Sequence, residues 1–372
     1  MIIFFIRILY FIIKVEQSIF KLKLNRNIKA LLWGVTVLVG IACHSIVAQD
    51  DIPKTSGFSG FALLGPAYFN VENSLLVTGS PLLDDVGTPQ IESIFDPPPS
   101  GSAPALYVAF ELNYTFSSTR TQLYLGNRLE DLLRLDLFFG LGLRQELPDS
   151  SILAASLLLT PLELKYWSDP YIEGEDRMQT GLYLPGLRLR WGRIFNTGLE
   201  LTATVRQYRF DEENSGNWLV SEGRLNPDQR FLLNRDGEVL RLQALYRFEL
   251  KSHRFEPAVR YVKDSHNGAA ISNKGFSIRL KYLYLSPKFL LDFNVIYGKR
   301  KADEIHPVYE KVVDANRWGM AITAFIPVKR FDGSVLSVFI GGEFFRENAN
   351  IDFFDSRITA VNAGLVWRHR RK

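Results

Sequence analysis

The residues best suited to nucleophilic chemistry in this 372-residue chain stand together at Ser265-His266-Asn267-Gly268, with Asp264 alongside. A serine hydroxyl becomes a nucleophile when an imidazole within hydrogen-bond reach takes its proton and a third group orients that imidazole. Adjacent loop residues rarely reach that geometry, and Asn267-Gly268 reads more simply as a tight turn. His253 and His306 have no obvious partner in the sequence around them. Acidic side chains gather at Glu163, Asp169, Glu173, Glu175 and Asp176 between Pro161 and Thr180, and again at Asp211-Glu212-Glu213. The first group would suit a constriction or divalent ions held with lipopolysaccharide, but a solvated loop is the plainer expectation. Three adjacent acids lack the spaced ligands of a calcium loop. No phosphate loop, dinucleotide fingerprint or metal-ligand spacing is present, so no cofactor and no enzyme activity are expected.

The more pervasive chemistry is ionic and recurs at every second position. Between Leu133 and Leu143, Leu133, Leu135, Leu137, Phe139, Leu141 and Leu143 share one parity, whereas Arg134, Asp136, Gly140 and Gly142 share the other. Successive side chains of a strand point to opposite faces, so the segment has one greasy face and one polar or bare face. About ten residues is also what a tilted strand needs to cross bilayer hydrocarbon.

The same logic predicts strands over Phe58–Val71, Leu106–Phe116, Thr121–Asn127, Ser151–Thr160, Gly181–Phe195 and Gly198–Phe210. It continues through Glu238–Leu250, Arg254–Asp264, Lys274–Leu285, Phe289–Arg300, Arg317–Pro327, Ser334–Arg346 and Arg357–Arg368. Tight connections such as Asn196-Thr197, Lys251-Ser252-His253 and Ser286-Pro287-Lys288 alternate with long polar ones at Asp211–Gly237 and Lys301–Asn316. The Glu72–Pro104 connection, with Pro97-Pro98-Pro99, reads as a surface loop without a stable element. Short periplasmic turns, long extracellular loops and an even strand count characterise outer-membrane barrels. The expectation is all-β: a transmembrane antiparallel up-and-down β-barrel of about 14 strands, with both termini periplasmic.

A barrel that wide is not filled by side chains as an eight-stranded one is, which favours lipid outside and water within. Aromatics on the apolar parity gather toward two rims, Phe116, Trp191, Phe248, Phe255, Tyr284, Phe289 and Trp367 at one and Tyr261, Tyr297, Trp318 and Phe344 at the other. Two such girdles suit two membrane interfaces. The opposite parity then lines a pore with Arg134, Asp136, Arg144, Arg188, Arg190, Glu200 and Arg206. Arg241, Arg247, Arg260, Arg279, Lys281, Asp292, Arg317 and Glu343 extend that lining, which is richer in bases than acids. Charged rings tune ion preference, so the expectation is passive diffusion of small hydrophilic solutes with mild anion preference. The alternative is a surface-facing barrel hydrolase or a ligand-binding receptor acting through its loops.

Everything before Gln49 reads as a leader. Lys21–Lys29 is basic, Ala30–Ala42 is apolar, and Ile46-Val47-Ala48 ends on a small residue, which predicts a signal peptide over residues 1–48 and a barrel over 49–372. The long apolar Met1–Phe20 segment is expected to reflect a mis-assigned start, with translation beginning nearer Lys21; finding Met1 in the precursor would overturn this. Without the leader, 38 basic and 39 acidic residues remain, too balanced for a nucleic-acid partner. The only cysteine, Cys43, lies within it. Expected partners are outer-membrane lipid, lipopolysaccharide and the barrel-assembly machinery that reads an aromatic-ended closing strand, here Val361, Ala363, Leu365 and Trp367. A monomer or weak oligomer follows.

Four landmarks carry a resemblance spanning nearly all of the mature chain. They are Gly57-Phe58-Ser59-Gly60, Trp167-Ser168-Asp169-Pro170-Tyr171, Leu233-Asn234-Arg235-Asp236-Gly237 and Asn350-Ile351-Asp352-Phe353-Phe354-Asp355. In this order they resemble an uncharacterised outer-membrane protein family of gamma-proteobacteria, known only as a domain of unknown function. The resemblance implies porin-like architecture and an outer-membrane location, and brings no established substrate.

Overall fold

The computed structural model describes residues 52–78, 82–127, 139–160 and 163–369. In chain order the first strands are β1 (Gly57–Glu72), β2 (Leu76–Thr78), β3 (Ser100–Phe116), β4 (Thr121–Gly126) and β5 (Phe139–Glu146). They are followed by β6 (Ile152–Leu159), β7 (Leu164–Trp167), β8 (Gln179–Tyr183), β9 (Gly186–Gly192) and β10 (Leu199–Phe210). Two short helices, α1 (Asn217–Ser221) and α2 (Pro227–Phe231), precede β11 (Gly237–Tyr246), β12 (Phe248–Leu250), β13 (His253–His266) and β14 (Asn273–Leu285). The chain finishes with β15 (Leu290–His306), β16 (Lys311–Phe331), β17 (Ser334–Ala349) and β18 (Ser356–His369).

These strands close into an antiparallel barrel. β1 pairs with β3 from Gly57↔Thr115 to Glu72↔Ser100 and, on its other edge, with β18 from Gly60↔His369 to Glu72↔Arg357. β6 with β7, β8 with β9, and β11 with β12 each act as one broken stave, and β2 lies outside the ring, which leaves fourteen staves. Closure matters because an unpaired backbone group in hydrocarbon costs several kcal/mol, and a closed sheet leaves no edge to bear that cost.

Turn chemistry separates the two rims. Phe331↔Ser334 closes a two-residue turn on Asp332-Gly333, where Gly333 takes φ 68. Asp-Gly suits such turns because glycine enters the left-handed region without a Cβ penalty. Ser334 also pairs with His369, so both ends of the barrel chain lie at this rim of tight turns. The long connections leave from the other rim.

Side-chain polarity runs opposite to that of a water-soluble barrel. Leu64, Leu157, Ile278, Ile340 and Leu365 are 50–60% exposed, whereas Arg206 is 1% exposed and Glu256 3%. The expected girdles lie on the outer face: Trp318 packs on Phe344 at 4.6 Å near one edge, and Tyr284 on Phe289 at 5.4 Å near the other. Within β5, Leu141 and Leu143 are exposed and Arg144 is buried, which is the parity read from the sequence; residues 133–138 lie outside the described residues.

Four expectations are corrected. Gly181–Phe195 is not one strand but β8 and β9, broken at Leu184-Pro185, where proline supplies no ladder N–H. Lys301–Asn316 is not a loop: β15 and β16 run past the belt and pair as far as His306↔Lys311. The Glu72–Pro104 connection carries β2 and buries Val77 and Ile94 completely, so it is packed structure. Pro161–Thr180 is not a solvated loop either, since Trp167, Ser168, Asp169 and Arg177 are all buried.

Candidate channel lumen and its cap

Of the fifteen residues read as pore-lining, Arg134 and Asp136 lie outside the described residues, and the other thirteen occupy inward positions. Strand alternation places them, and antiparallel register pairs many of them. Arg144 Nη2 lies 2.9 Å from Glu111 Oε2, its Nη1 donates to Gln122 at 2.8 Å, and its guanidinium lies over the Tyr124 ring. Arg190 meets Glu200 at 3.2 Å, Arg247 meets Glu256 at 2.8 Å, and Lys281 meets Asp292 at 3.2 Å. Arg188 donates to Thr204, Arg206 to the Leu184 carbonyl and Arg260 to Gln243. Arg241 and Arg279 face inward from β11 and β14. Arg317 shares Glu347 with Arg300. The charges are folded against one another, with Arg144, Arg190, Arg206, Arg279 and Lys281 each at most 8% exposed.

Glu343 is held differently. It accepts from Tyr107 Oη and Asn362 Nδ2, each at 3.2 Å, within an apolar arc of the inner wall. Leu63 and Phe69 on β1, Tyr107 on β3, Phe325 on β16, Phe339 on β17 and Val366 on β18 form that arc, with Leu83 and Val86 of the first long connection packed on it. Alternation did not reveal this arc because stretches such as Phe61-Ala62-Leu63-Leu64 and Val338-Phe339-Ile340 are apolar at both parities. The lumen wall therefore carries an apolar cluster on β16 to β3, alongside inward Glu343, Glu111 and the Arg317–Glu347 pair of those strands, and is charged on the strands between them. Arg254, which meets Glu249 at 2.6 Å, also belongs to the charged side and carries the inward parity of β13.

Over the rim of long connections sits a second apolar cluster. Ile94, Tyr171, Leu219, Leu225, Leu233, Ala302, Val313, Ile351 and Phe353 come from five connections spaced around the ring, and such segments can meet only across the mouth. Three of the four sequence landmarks converge there. Asp169 accepts from Gly216 N at 3.0 Å and Trp218 N at 2.8 Å, satisfying amide donors at the start of α1. Arg235 donates to the Trp167 and Ser168 carbonyls at 2.9 and 2.8 Å, and Phe353 stacks on Tyr171 at 5.3 Å. Arg177 ties the first connection to the third through the Ser74, Thr88, Pro89 and Pro170 carbonyls. Its burial lowers its pKa to about 10.

His306 is the most enclosed titratable group of the cap, at 0% exposure. Its Nδ1 accepts from Val308 N at 3.3 Å, which leaves Nε2–H to donate to Tyr171 Oη at 3.1 Å. Desolvation lowers its pKa to about 3, and burial raises those of Tyr171 and Tyr309.

The nucleophile constellation is not assembled. Ser265 and His266 are consecutive residues of β13 and point to opposite faces, and His266 Nδ1 is engaged with the Arg235 carbonyl at 2.6 Å. Glu213, one of the three adjacent acids, is spent on Arg235. Among the described residues no three His, Cys, Asp or Glu side chains are grouped as a metal ion would need.

Comparison with solved structures returns outer-membrane barrels at low identity. The anion-selective porin from Comamonas acidovorans matches at 8% identity and TM-score 0.38, over 84% of this chain and 100% of that one. OccAB3 of Acinetobacter baumannii matches at 11% identity and TM-score 0.34, over 83% and 98%, and OpdQ of Pseudomonas aeruginosa at 14% identity and TM-score 0.30, over 86% and 99%. No curated protein matches the chain. A family model described as "Protein of unknown function (DUF2860)" matches residues 57–368, the whole barrel with its cap, and the chain belongs to that family.

Proposed function

We propose that this chain is an outer-membrane channel for small hydrophilic solutes, seated with both termini in the periplasm and the cap facing outward. Residues 1–48 serve as the removable signal peptide and residues 49–372 as the barrel. The observation that carries the reading is the inverted polarity: aliphatic side chains ring the outside, and arginines with their carboxylates line the inside. Burying that charge in a protein of this width has no packing advantage, since buried pairs are at best near neutral in stability. A path for water and ions gives it a use. The inward excess of guanidinium groups on β5 to β14 favours anions. The conducting state requires the cap to leave the mouth, because five connections meet across it here. Acyl chains and lipopolysaccharide surround the belt, the barrel-assembly machinery receives the closing strand β18, and the assembly is a monomer or a weak oligomer.

Liposome swelling tests this reading. Proteoliposomes of the refolded chain are expected to swell in sugars at rates that fall with sugar size. Rates equal to those of protein-free liposomes for every sugar would contradict it.

A further inference from the structure

The two sides of the lumen wall differ in a way that a pore for small inorganic ions does not need. From β16 through β18 and β1 to β3 the inner face carries Leu63, Phe69, Tyr107, Phe325 and Phe339. The inner face of β5 to β14 carries Arg144, Arg190, Arg206, Arg254 and Arg279. Inward aromatic and aliphatic side chains cost an aqueous pore the hydration of its wall, on the order of 25 cal/mol for each Å² of apolar surface kept in contact with water. The protein avoids that cost in this closed state by laying Leu83 and Val86 of the first long connection over the arc. Those aliphatic side chains reach it from a segment joined to β3 by the Leu83↔Ala105 bridge, with Leu106 N donating to the Leu82 carbonyl at 2.8 Å.

We propose that the channel's preferred solutes are amphipathic organic monoanions, with an apolar body that takes the place of Leu83 and Val86 on the arc and a carboxylate facing the arginine side. This rests on the channel reading and narrows its solute class. Charge complementarity fixes the sign: guanidinium groups pair with carboxylates bidentately and hold them at a defined position. The apolar arc fixes the body, since a phenyl or alkyl group gains there what a small hydrated anion cannot.

Calorimetry on the refolded chain with 4-phenylbutyrate, butyrate and 4-phenylbutylammonium tests the proposal. 4-Phenylbutyrate is expected to bind at least about tenfold more tightly than either of the others, a difference near 1.4 kcal/mol at 25 °C. Phe339→Leu is expected to weaken 4-phenylbutyrate several-fold and leave butyrate unchanged, whereas Arg260→Gln weakens both carboxylates. Partition into detergent is common to all variants and cannot mimic that pattern. Equal binding of the three probes, no binding of 4-phenylbutyrate, or the same response in both variants would overturn the proposal. Chloride current through the same preparation judges the channel reading separately. A barrel that carries current but does not distinguish the probes fails this inference alone, and one that binds 4-phenylbutyrate selectively without current fails the channel reading alone.

Discussion

Arg235 Nε donates to Glu213 Oε2 at 2.8 Å, with the two side chains only 10% and 5% exposed. The same guanidinium lies over the Phe210 ring at 4.3 Å and holds the Trp167 and Ser168 carbonyls, so one side chain joins the third and fourth long connections. Removing one partner of a buried pair leaves an uncompensated charge and costs about 3–5 kcal/mol. Arg235→Gln is therefore expected to unlatch the cap without opening the barrel. Limited proteolysis should cut the variant between residues 211 and 236 while its heat-modifiable band on gels persists; a variant as resistant as the wild type would refute the latch.

The enclosed His306 makes the cap acid-sensitive. Its pKa is about 3 in the fold against an ordinary value of 6.5, so the unfolded cap takes up a proton that the folded cap refuses. Its stabilising contribution is full above pH about 6.5 and declines as pH falls toward 3, by at most about 1.4 kcal/mol per pH unit. Protease resistance of the wild-type cap should fall between pH 7 and pH 4.5, and His306→Gln should flatten that dependence. An unchanged slope in the variant would remove His306 as the cause.

Depth in the membrane should set the cost of a charge on the outer face. Ile340 in the middle of β17 and Ile305 at the far end of β15 are 60% and 59% exposed, so exposure alone does not distinguish them. Arginine costs roughly 2–4 kcal/mol at the bilayer midplane and about 0–1 near its edge. Ile340→Arg should destabilise the lipid-embedded barrel far more than Ile305→Arg in reversible folding titrations. Equal costs would mean that the apolar belt does not meet acyl chains.

Glu347 holds both Arg300 and Arg317 toward the rim of long connections. Glu347→Ala leaves two guanidinium groups facing each other with less compensation. Thermal unfolding should shift to lower temperature and the chloride-to-potassium permeability ratio should rise; a variant unchanged in both would show that this triad neither supports the wall nor shapes its field.

The barrel was legible because lipid enforces a strict rule at each position. Leu141 and Leu143 outside and Arg144 inside follow from parity alone, and no alternative arrangement puts both sets in tolerable surroundings. The cap was not legible, because its contacts join residues far apart in sequence. Tyr171 meets His306, and Tyr309 donates to the Ile94 carbonyl, across separations that no local period records. Polar residues such as Asp169 and Arg177 looked solvated because their partners are backbone groups, which composition does not reveal. The apolar arc was hidden for the converse reason: where both parities are apolar, alternation carries no sign.

Planar-bilayer current across a potassium chloride gradient tests the channel most directly, with wild type and Arg235→Gln reconstituted side by side. Discrete conductance steps are expected, more frequent in Arg235→Gln, with a reversal potential on the chloride side of zero in both. Bilayers that stay silent with both proteins while the barrels remain folded, or a reversal potential on the potassium side, would contradict it.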